Sequence, residues 1–120
     1  MAEMKLGAVE SRFADIIWQN EPLTTAELIS ICEKELSWKR TTTYTVLKRL
    51  SERGIFQNID GTVTSLISRD DFYSVQSERF VDETFGGSLP AFLAAFTARK
   101  DLTPSELSEI RKLINSYEEV

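Results

Sequence analysis

The chain has 120 residues, of which 42% are hydrophobic and 28% are charged, and its 19 acidic residues outnumber its 14 basic ones. This length suits one ordinary domain, or a small domain with an oligomerisation element, and the composition is that of a folded protein. The absence of histidine and the single cysteine exclude Ser-His and Cys-His catalysis, a Cys/His zinc site and an internal disulfide.

The sequence contains no signal for a membrane. No apolar run approaches the roughly 18 residues that cross a bilayer, and the start MAEMKLGAVE lacks the basic-then-apolar order of a signal peptide. We therefore expect a cytoplasmic protein with no membrane partner, no cofactor and no metal. The one thiol, Cys32, follows Leu28 at helical spacing, which predicts a small hydrophobic core residue.

Two amphipathic helices are predicted in the first third of the chain. The first has an apolar stripe within residues 6–17, which includes Val9, and it ends before Pro22. The second begins at Thr24, which together with Glu27 has the spacing of a capping box. The apolar residues that follow Glu27 recur on one helical face, so this helix is also expected to pack on a core.

The segment WKRTTTYTVLKRLSERG, residues 38–54, predicts a third helix that stops at Gly54. After it the period changes, because IFQNI and TVTSLI are β-branched and aromatic runs joined by Asp60-Gly61, a dipeptide favoured in type I′ hairpin turns. Three helices followed by one hairpin is the order of a winged helix-turn-helix, with the hairpin as the wing. The buried side of the third helix is expected to comprise Thr43, Val46, Leu47 and Leu50.

Residues 38–54 are also basic, with a net charge of +4 in a chain whose net charge is −5. The outer side of the third helix combines threonine hydroxyls with lysine and arginine, which can bind bases and neutralise phosphates. This localised charge, placed on the recognition helix of a winged helix, predicts binding to double-stranded DNA. The candidate DNA-binding residues are Lys39, Arg40, Thr41, Thr42, Tyr44, Thr45, Lys48 and Arg49.

The last 50 residues or so predict three more helices. The first ends at the stop Gly86-Gly87, the second begins at Ser88-Leu89, and the third has a strong helix start at Thr103-Pro104. Their apolar faces make too thin a core to stand alone, so we expect them to pack against a second copy of the chain. The predicted organisation is a winged-helix DNA-binding domain at 1–70 and a helical dimerisation region at 71–120, in a mainly α fold with a small β-hairpin wing. The candidate interface residues are Phe80, Phe85, Leu89, Phe92, Leu93, Phe96, Leu107, Ile110, Leu113 and Ile114.

Five stretches carry a family resemblance: LGAVESRFADIIWQNEPLTTAEL, TTTYTVLKRLSERGIF, the Asp-Gly hairpin, SRDDFYSVQSERFVDETFGGSLPAFLAAF and LTPSELSEIRKLI. In this order they resemble the penicillinase-repressor (BlaI/MecI/CopY) family of bacterial winged-helix transcriptional regulators. The resemblance implies a homodimeric repressor that binds a palindromic operator through its third helix. It matches Thr42, Thr45 and Arg49 to the recognition pattern of the family and places Thr41, Tyr44 and Lys48 at more variable positions.

The chain departs from the family pattern in two places that concern the inducing signal. Copper-responsive relatives end in a cysteine-rich tail, whereas this sequence ends NSYEEV, so we expect no metal sensing by that route. Relatives that control β-lactamase genes are inactivated by cleavage at an Asn-Phe bond. The aligned pair is Ala95-Phe96, in which only Phe96 matches, so a sensor protease acting near Phe96 is a partner implied by the resemblance alone.

Two other functional classes stay open at this point. The hairpin has no lysine or arginine, which favours a winged-helix protein-interaction module that dimerises but does not bind DNA. An enzyme, the second class, would need a recognisable arrangement of a nucleophile, a base or metal ligands, and the sequence does not show one. Binding to a palindromic DNA, with an affinity that depends on salt, distinguishes the repressor from both.

Overall fold

A computed structural model describes residues 5–118, so the outer ends of the two predicted domains, 1–4 and 119–120, lie outside the described residues. The predicted fold class, a winged helix-turn-helix followed by a helical C-terminal region, is confirmed. The chain divides into two compact units, residues 1–77 and 78–120. The elements are α1 Ala8–Asn20, β1 Leu23–Thr24, α2 Thr25–Leu36, α3 Arg40–Glu52, β2 Phe56–Ile59, β3 Thr62–Ser65, α4 Arg69–Phe85, α5 Leu89–Arg99 and α6 Pro104–Glu118.

Two helices begin at the capping boxes that the sequence predicted. At the start of α2, Thr24 Oγ1 accepts a hydrogen bond from Glu27 N at 3.1 Å, and Thr24 N donates to Glu27 Oε1 at 3.2 Å. The same exchange joins Thr103 and Glu106 at the start of α6, where the hydrogen bonds with Thr103 lower the pKa of Glu106. Each box satisfies amide groups that have no partner within the helix.

The wing is part of a three-stranded antiparallel sheet with the order β1-β3-β2. The predicted hairpin turn is confirmed, since Asp60 and Gly61 have φ values of 51° and 83°, as a type I′ turn requires. The sequence prediction missed β1, in which Leu23 lies opposite Val63. A strand of two residues is too short to produce an alternating pattern, and its partner lies about 40 positions further along the chain.

The first unit has a closed apolar core between the three helices and the sheet. Trp18 of α1 is partly buried and packs against this core, with ring centroids 5.4 Å from Phe56 and 5.7 Å from Phe72, and its Nε1 donates to Ile67 O at 3.0 Å. The expectation that Val9 belongs to the buried stripe is wrong, because Val9 is exposed. It lies in the first turn of α1, one turn before Phe13, where the buried part of the helix begins.

In the second unit, residues 78–118 form an aromatic cluster but no closed core. The rings of Phe80, Phe85 and Phe92 contact one another edge to face with centroids 5.7 to 6.0 Å apart, and Phe96 stacks at a tilt on Phe92. Within α5 and α6, all of whose residues the structure describes, none is buried. An isolated copy of this unit would therefore leave its apolar side chains in contact with water.

Core packing gives a first prediction, on β2. Phe56 is 0% exposed whereas Ile59, on the same strand, is 58% exposed. Phe56→Ala should lower the free energy of unfolding by about 3–5 kcal/mol because it leaves a cavity beside Trp18, and the matched control Ile59→Ala should lower it by less than about 1 kcal/mol. Urea titration followed by tryptophan fluorescence measures both, since both tryptophans, at 18 and 38, lie in the first unit. Equal losses would contradict the described core.

Cys32 gives a second prediction. Its side chain is fully buried, and this burial raises the pKa of the thiol to about 11, although a hydrogen bond with Thr43 lowers it in part. Because the thiolate is the reactive form, Cys32 in the folded chain should react with Ellman's reagent at pH 8 at least about 100-fold more slowly than in urea. Stability should fall as the pH rises from the unfolded pKa of about 9 towards 11, since the unfolded thiol releases its proton first.

Candidate nucleic-acid interface

Helix α3 has one buried side and one exposed side, and the division is the predicted one. Thr43, Val46, Leu47 and Leu50 are buried against the core formed with α2 and β2. The opposite side exposes Thr41, Thr42, Thr45, Lys48, Arg49 and Glu52. The structure thus brings together, on one solvent-facing surface, the hydroxyl and cationic residues that the sequence analysis singled out.

The two ends of α3 are fixed by backbone hydrogen bonds. Lys39 is the N-cap residue, and its carbonyl accepts from Thr43 N at 3.1 Å and from Thr43 Oγ1 at 3.2 Å. At the other end Gly54, with φ 80°, donates to Ser51 O at 3.0 Å, and Ile55 N donates to Leu50 O at 3.1 Å. This Schellman motif ends the helix at the predicted glycine and leads the chain into β2.

The exposed threonines differ in what they can offer a ligand. Thr45 Oγ1 donates to Thr41 O at 2.8 Å, one turn earlier on the same helix. Its hydroxyl proton is therefore used within α3, and its oxygen lone pairs are left to accept a hydrogen bond. Thr45 is suited to accept from an amino group at a base edge. Thr43, by contrast, is buried and serves the helix itself.

The N-terminal half of α3 is linked to the first turn of α2 through Tyr44. The guanidinium of Arg40 lies over the Tyr44 ring, 5.7 Å from the centroid. A hydrogen bond with Thr25, supported by the charge of Arg40, lowers the pKa of Tyr44. Together with Leu47, Lys48, Ser51 and Asn58, Tyr44 also lines an open groove of about 230 Å³ between α3 and β2.

The cations near the C-terminal end of α3 have an acidic partner that the sequence analysis missed. Arg49 Nη1 donates to Glu10 Oε2 at 3.1 Å, and Arg53 Nη1 lies 3.8 Å from the same oxygen. Glu10 belongs to α1, 39 positions before Arg49, so no local spacing indicates the pair. The only signal in the sequence is the position of Glu10 three residues after Gly7, which indicates a helix cap.

The wing uses its polar side chains within the first unit. Asn58 Oδ1 accepts from Gly61 N, and Gln57 Nε2 donates to Thr64 Oγ1, both at 3.0 Å. The turn is fastened to α2, because Thr25 N donates to Gly61 O at 3.0 Å. Asp60 is the one charged residue of the hairpin, so the hairpin offers no cation to a ligand.

The described residues form neither a metal cluster nor a membrane-spanning helix, and the candidate interface residues lie outside the first unit. Among the described residues, no three His, Cys, Asp or Glu side chains come together in a way that could hold a metal ion. No helix formed by residues 5–118 is both long and apolar enough to cross a membrane. The candidate interface residues lie on α4, α5 and α6, and the pair Ala95-Phe96 lies within α5, where Phe96 is exposed.

Comparison with known proteins extends over nearly the whole chain. Residues 6–116 match the model of a family described as penicillinase repressor. The chain is 24% identical over 115 residues to the methicillin resistance regulatory protein MecI of Staphylococcus aureus (strain Mu50), covering 92% of this chain and 94% of that protein. It is also 24% identical over 117 residues to the penicillinase repressor of Bacillus licheniformis, covering 94% and 91%. The family match spans both units, and it agrees with the winged-helix fold and with the solvent-facing side of α3. The chain belongs to the penicillinase repressor family.

Proposed function

We propose that this chain is a dimeric, sequence-specific DNA-binding repressor that acts in the cytoplasm and binds a palindromic operator through α3. The observation that carries the proposal is the composition of the exposed side of α3, where hydroxyls and cations lie opposite a fully packed side. In this proposal residues 1–70 bind DNA and residues 71–120 dimerise. The names of the relatives, a penicillinase repressor and a regulator of methicillin resistance, support repression as the outcome.

The exposed side of α3 divides into two parts along the helix. Thr41, Thr42 and Thr45 occupy the first half, the part of a recognition helix that meets base edges in the major groove. Lys48 and Arg49 follow one turn later, where cations neutralise the phosphates that flank the groove. In this arrangement the hydroxyls select sequence and the cations supply affinity and register.

The proposed dimer follows from the second unit. Leu113 and Ile114 of α6 are exposed in the single chain, as are Leu89 and Phe96 of α5. Apolar side chains of this size are normally buried in folded proteins, and a symmetric pair of units would bury them. A dimer also places two copies of α3 in one molecule, which matches the two halves of a palindrome.

Cleavage by a sensor protease near Phe96 is the induction route that the family resemblance supplies. Phe96 lies inside α5, and Phe96 O accepts a hydrogen bond from Lys100 N at 3.2 Å. A protease needs an extended substrate, so this part of α5 would have to open before cleavage. Repression itself does not depend on this step.

Substitutions on α3 separate affinity from sequence selection. Lys48→Ala should weaken binding to operator and random duplexes alike and reduce the salt slope by about one unit, because one phosphate contact is lost. Thr45→Val should mainly lose the preference for the operator, by about 5–100-fold, because an acceptor at a base edge is removed. Fluorescence anisotropy at several salt concentrations measures both, on random DNA and on a duplex enriched from a random pool by the wild-type protein.

Lys34→Ala is the matched control for Lys48→Ala. Lys34 lies in the last turn of α2 and is equally exposed, so it changes the net charge by the same amount without touching α3. It should leave the salt slope unchanged. If the wild-type chain dimerises but enriches no duplex from the random pool and does not bind random DNA, the interaction-module function replaces this proposal. If Lys48→Ala and Thr45→Val lose the same affinity on both duplexes, the division of roles on α3 is wrong.

The dimer gives a separate prediction on α6. Leu113 is 62% exposed in the single chain, so Leu113→Asp should leave the chain folded and still weaken the dimer by at least about 100-fold, because a charge would be buried at the interface. Operator affinity should fall by a similar factor, since the second half-site contact is no longer intramolecular. Ser108→Asp, on the opposite side of α6, is the control. Analytical ultracentrifugation decides, and an undisturbed dimer in Leu113→Asp would exclude α6 from the interface.

A further inference from the structure

Glu10, the third residue of α1, connects this helix to the exposed side of α3. Its Oε2 accepts from Arg49 Nη1 at 3.1 Å and lies 3.8 Å from Arg53 Nη1. Its Oε1 accepts from Gly7 N at 3.2 Å, in the capping interaction of α1. Each carboxylate oxygen has its own partner. The capping interaction at the start of α1 therefore fixes the side chain of Glu10 independently of its contacts with the arginines.

The two arginines that share Glu10 differ in exposure. The side chain of Arg53 is 17% exposed, and its Nη2 donates to the carbonyl of Lys5, so this guanidinium is turned towards the start of α1. The side chain of Arg49 is 54% exposed and reaches Glu10 through one of its five N–H donors. Arg49 is therefore tethered at one edge while more than half of its side chain faces solvent, beside Thr45.

Electrostatic attraction favours the ion pair between Glu10 and Arg49, and this ion pair orders the side chain of Arg49. Arg53 is the C-cap residue of α3, four positions after Arg49, and like charges at this spacing are neighbours and repel each other. The carboxylate of Glu10 lies within 4 Å of both guanidinium groups and offsets this repulsion. An untethered arginine loses rotamer freedom when it binds a ligand, and a side chain ordered beforehand avoids part of that loss.

We infer that Glu10 is a positioning residue for DNA binding, which holds the guanidinium of Arg49 in the orientation that meets the phosphate backbone. The inference rests on the proposed DNA-binding function and adds a residue outside α3 to it. It also predicts a change in DNA affinity that is opposite to the change expected from charge alone. By charge alone, removal of a carboxylate near the DNA should strengthen binding, whereas removal of a positioning residue should weaken it.

The variant Glu10→Gln tests whether removal of the carboxylate weakens or strengthens DNA binding. Glutamine can still accept the capping hydrogen bond from Gly7 N, but it then presents an amide N–H₂ to Arg49 in place of a charged acceptor. The full-length variant should bind the duplex enriched by the wild-type protein about 5–10-fold more weakly, and its salt slope should be flatter by up to about one unit because Arg49 no longer neutralises its phosphate. Fluorescence anisotropy at several salt concentrations measures both quantities.

Asp15→Asn is the matched control. It also removes one carboxylate from α1, and it breaks an ion pair, the 2.9 Å contact between Asp15 Oδ1 and Arg69 Nε, that does not involve α3. The change in net charge equals that of Glu10→Gln. Asp15→Asn should bind the enriched duplex as tightly as the wild-type chain or slightly more tightly. Glu10→Gln binding that matches Asp15→Asn would overturn the inference.

A double-mutant cycle separates positioning from general destabilisation. Arg49→Ala should cause a loss at least as large as Glu10→Gln, and Glu10→Gln should cause no further loss in the Arg49→Ala background. Losses that add would show that Glu10 acts on the fold and would overturn the inference as well. A wild-type chain that enriches no duplex from the random pool and does not bind the random duplex overturns the proposed function instead, so the two failures are distinguishable.

Discussion

Burial of one side of α3 is the constraint on which the rest of the molecule depends. Val46, Leu47 and Leu50 fill the space between α2 and β2, and the buried hydroxyl of Thr43 is satisfied by the carbonyl of Lys39. Rotating the helix by one residue would turn this face about 100° and bring charged side chains into the core, at a cost of several kcal/mol. The packing of the core therefore determines which residues of α3 face solvent, and with them the composition of the proposed DNA interface.

The charges around α3 give the proposed interface a moderate positive potential. The count of basic residues in 38–54 overstates it, because Glu10 of α1 neutralises part of the charge of Arg49 and Arg53. The wing adds no cation. Since phosphate contacts supply most of the non-specific affinity for DNA, a single winged helix of this kind is expected to bind a half-site weakly. In the proposed dimer, base contacts by the hydroxyls and the linkage of two copies would then carry more of the affinity.

The features that the sequence predicted are those that local chemistry determines. Capping boxes, the glycine at the end of α3 and the Asp-Gly turn each depend on residues within a few positions, and all were found where expected. The features that it missed join distant parts of the chain: β1 pairs with β3, and Glu10 pairs with Arg49. Val9 shows a related limit, because helical periodicity gives the face of a residue but does not show where the core ends along the helix.

The two units differ in how completely a single chain buries their apolar side chains. In the proposed dimer this difference links stability to function. The first unit closes its own core and can present α3 without help. The second leaves every residue of α5 and α6 at least partly exposed, and in the proposed dimer a second copy would bury their apolar side chains. If a paired core holds two copies of α3 together, the operator-bound form depends on the square of the protein concentration below the dissociation constant of the dimer. Anything that opens α5, including cleavage near Phe96, would then release DNA without touching the residues that read it.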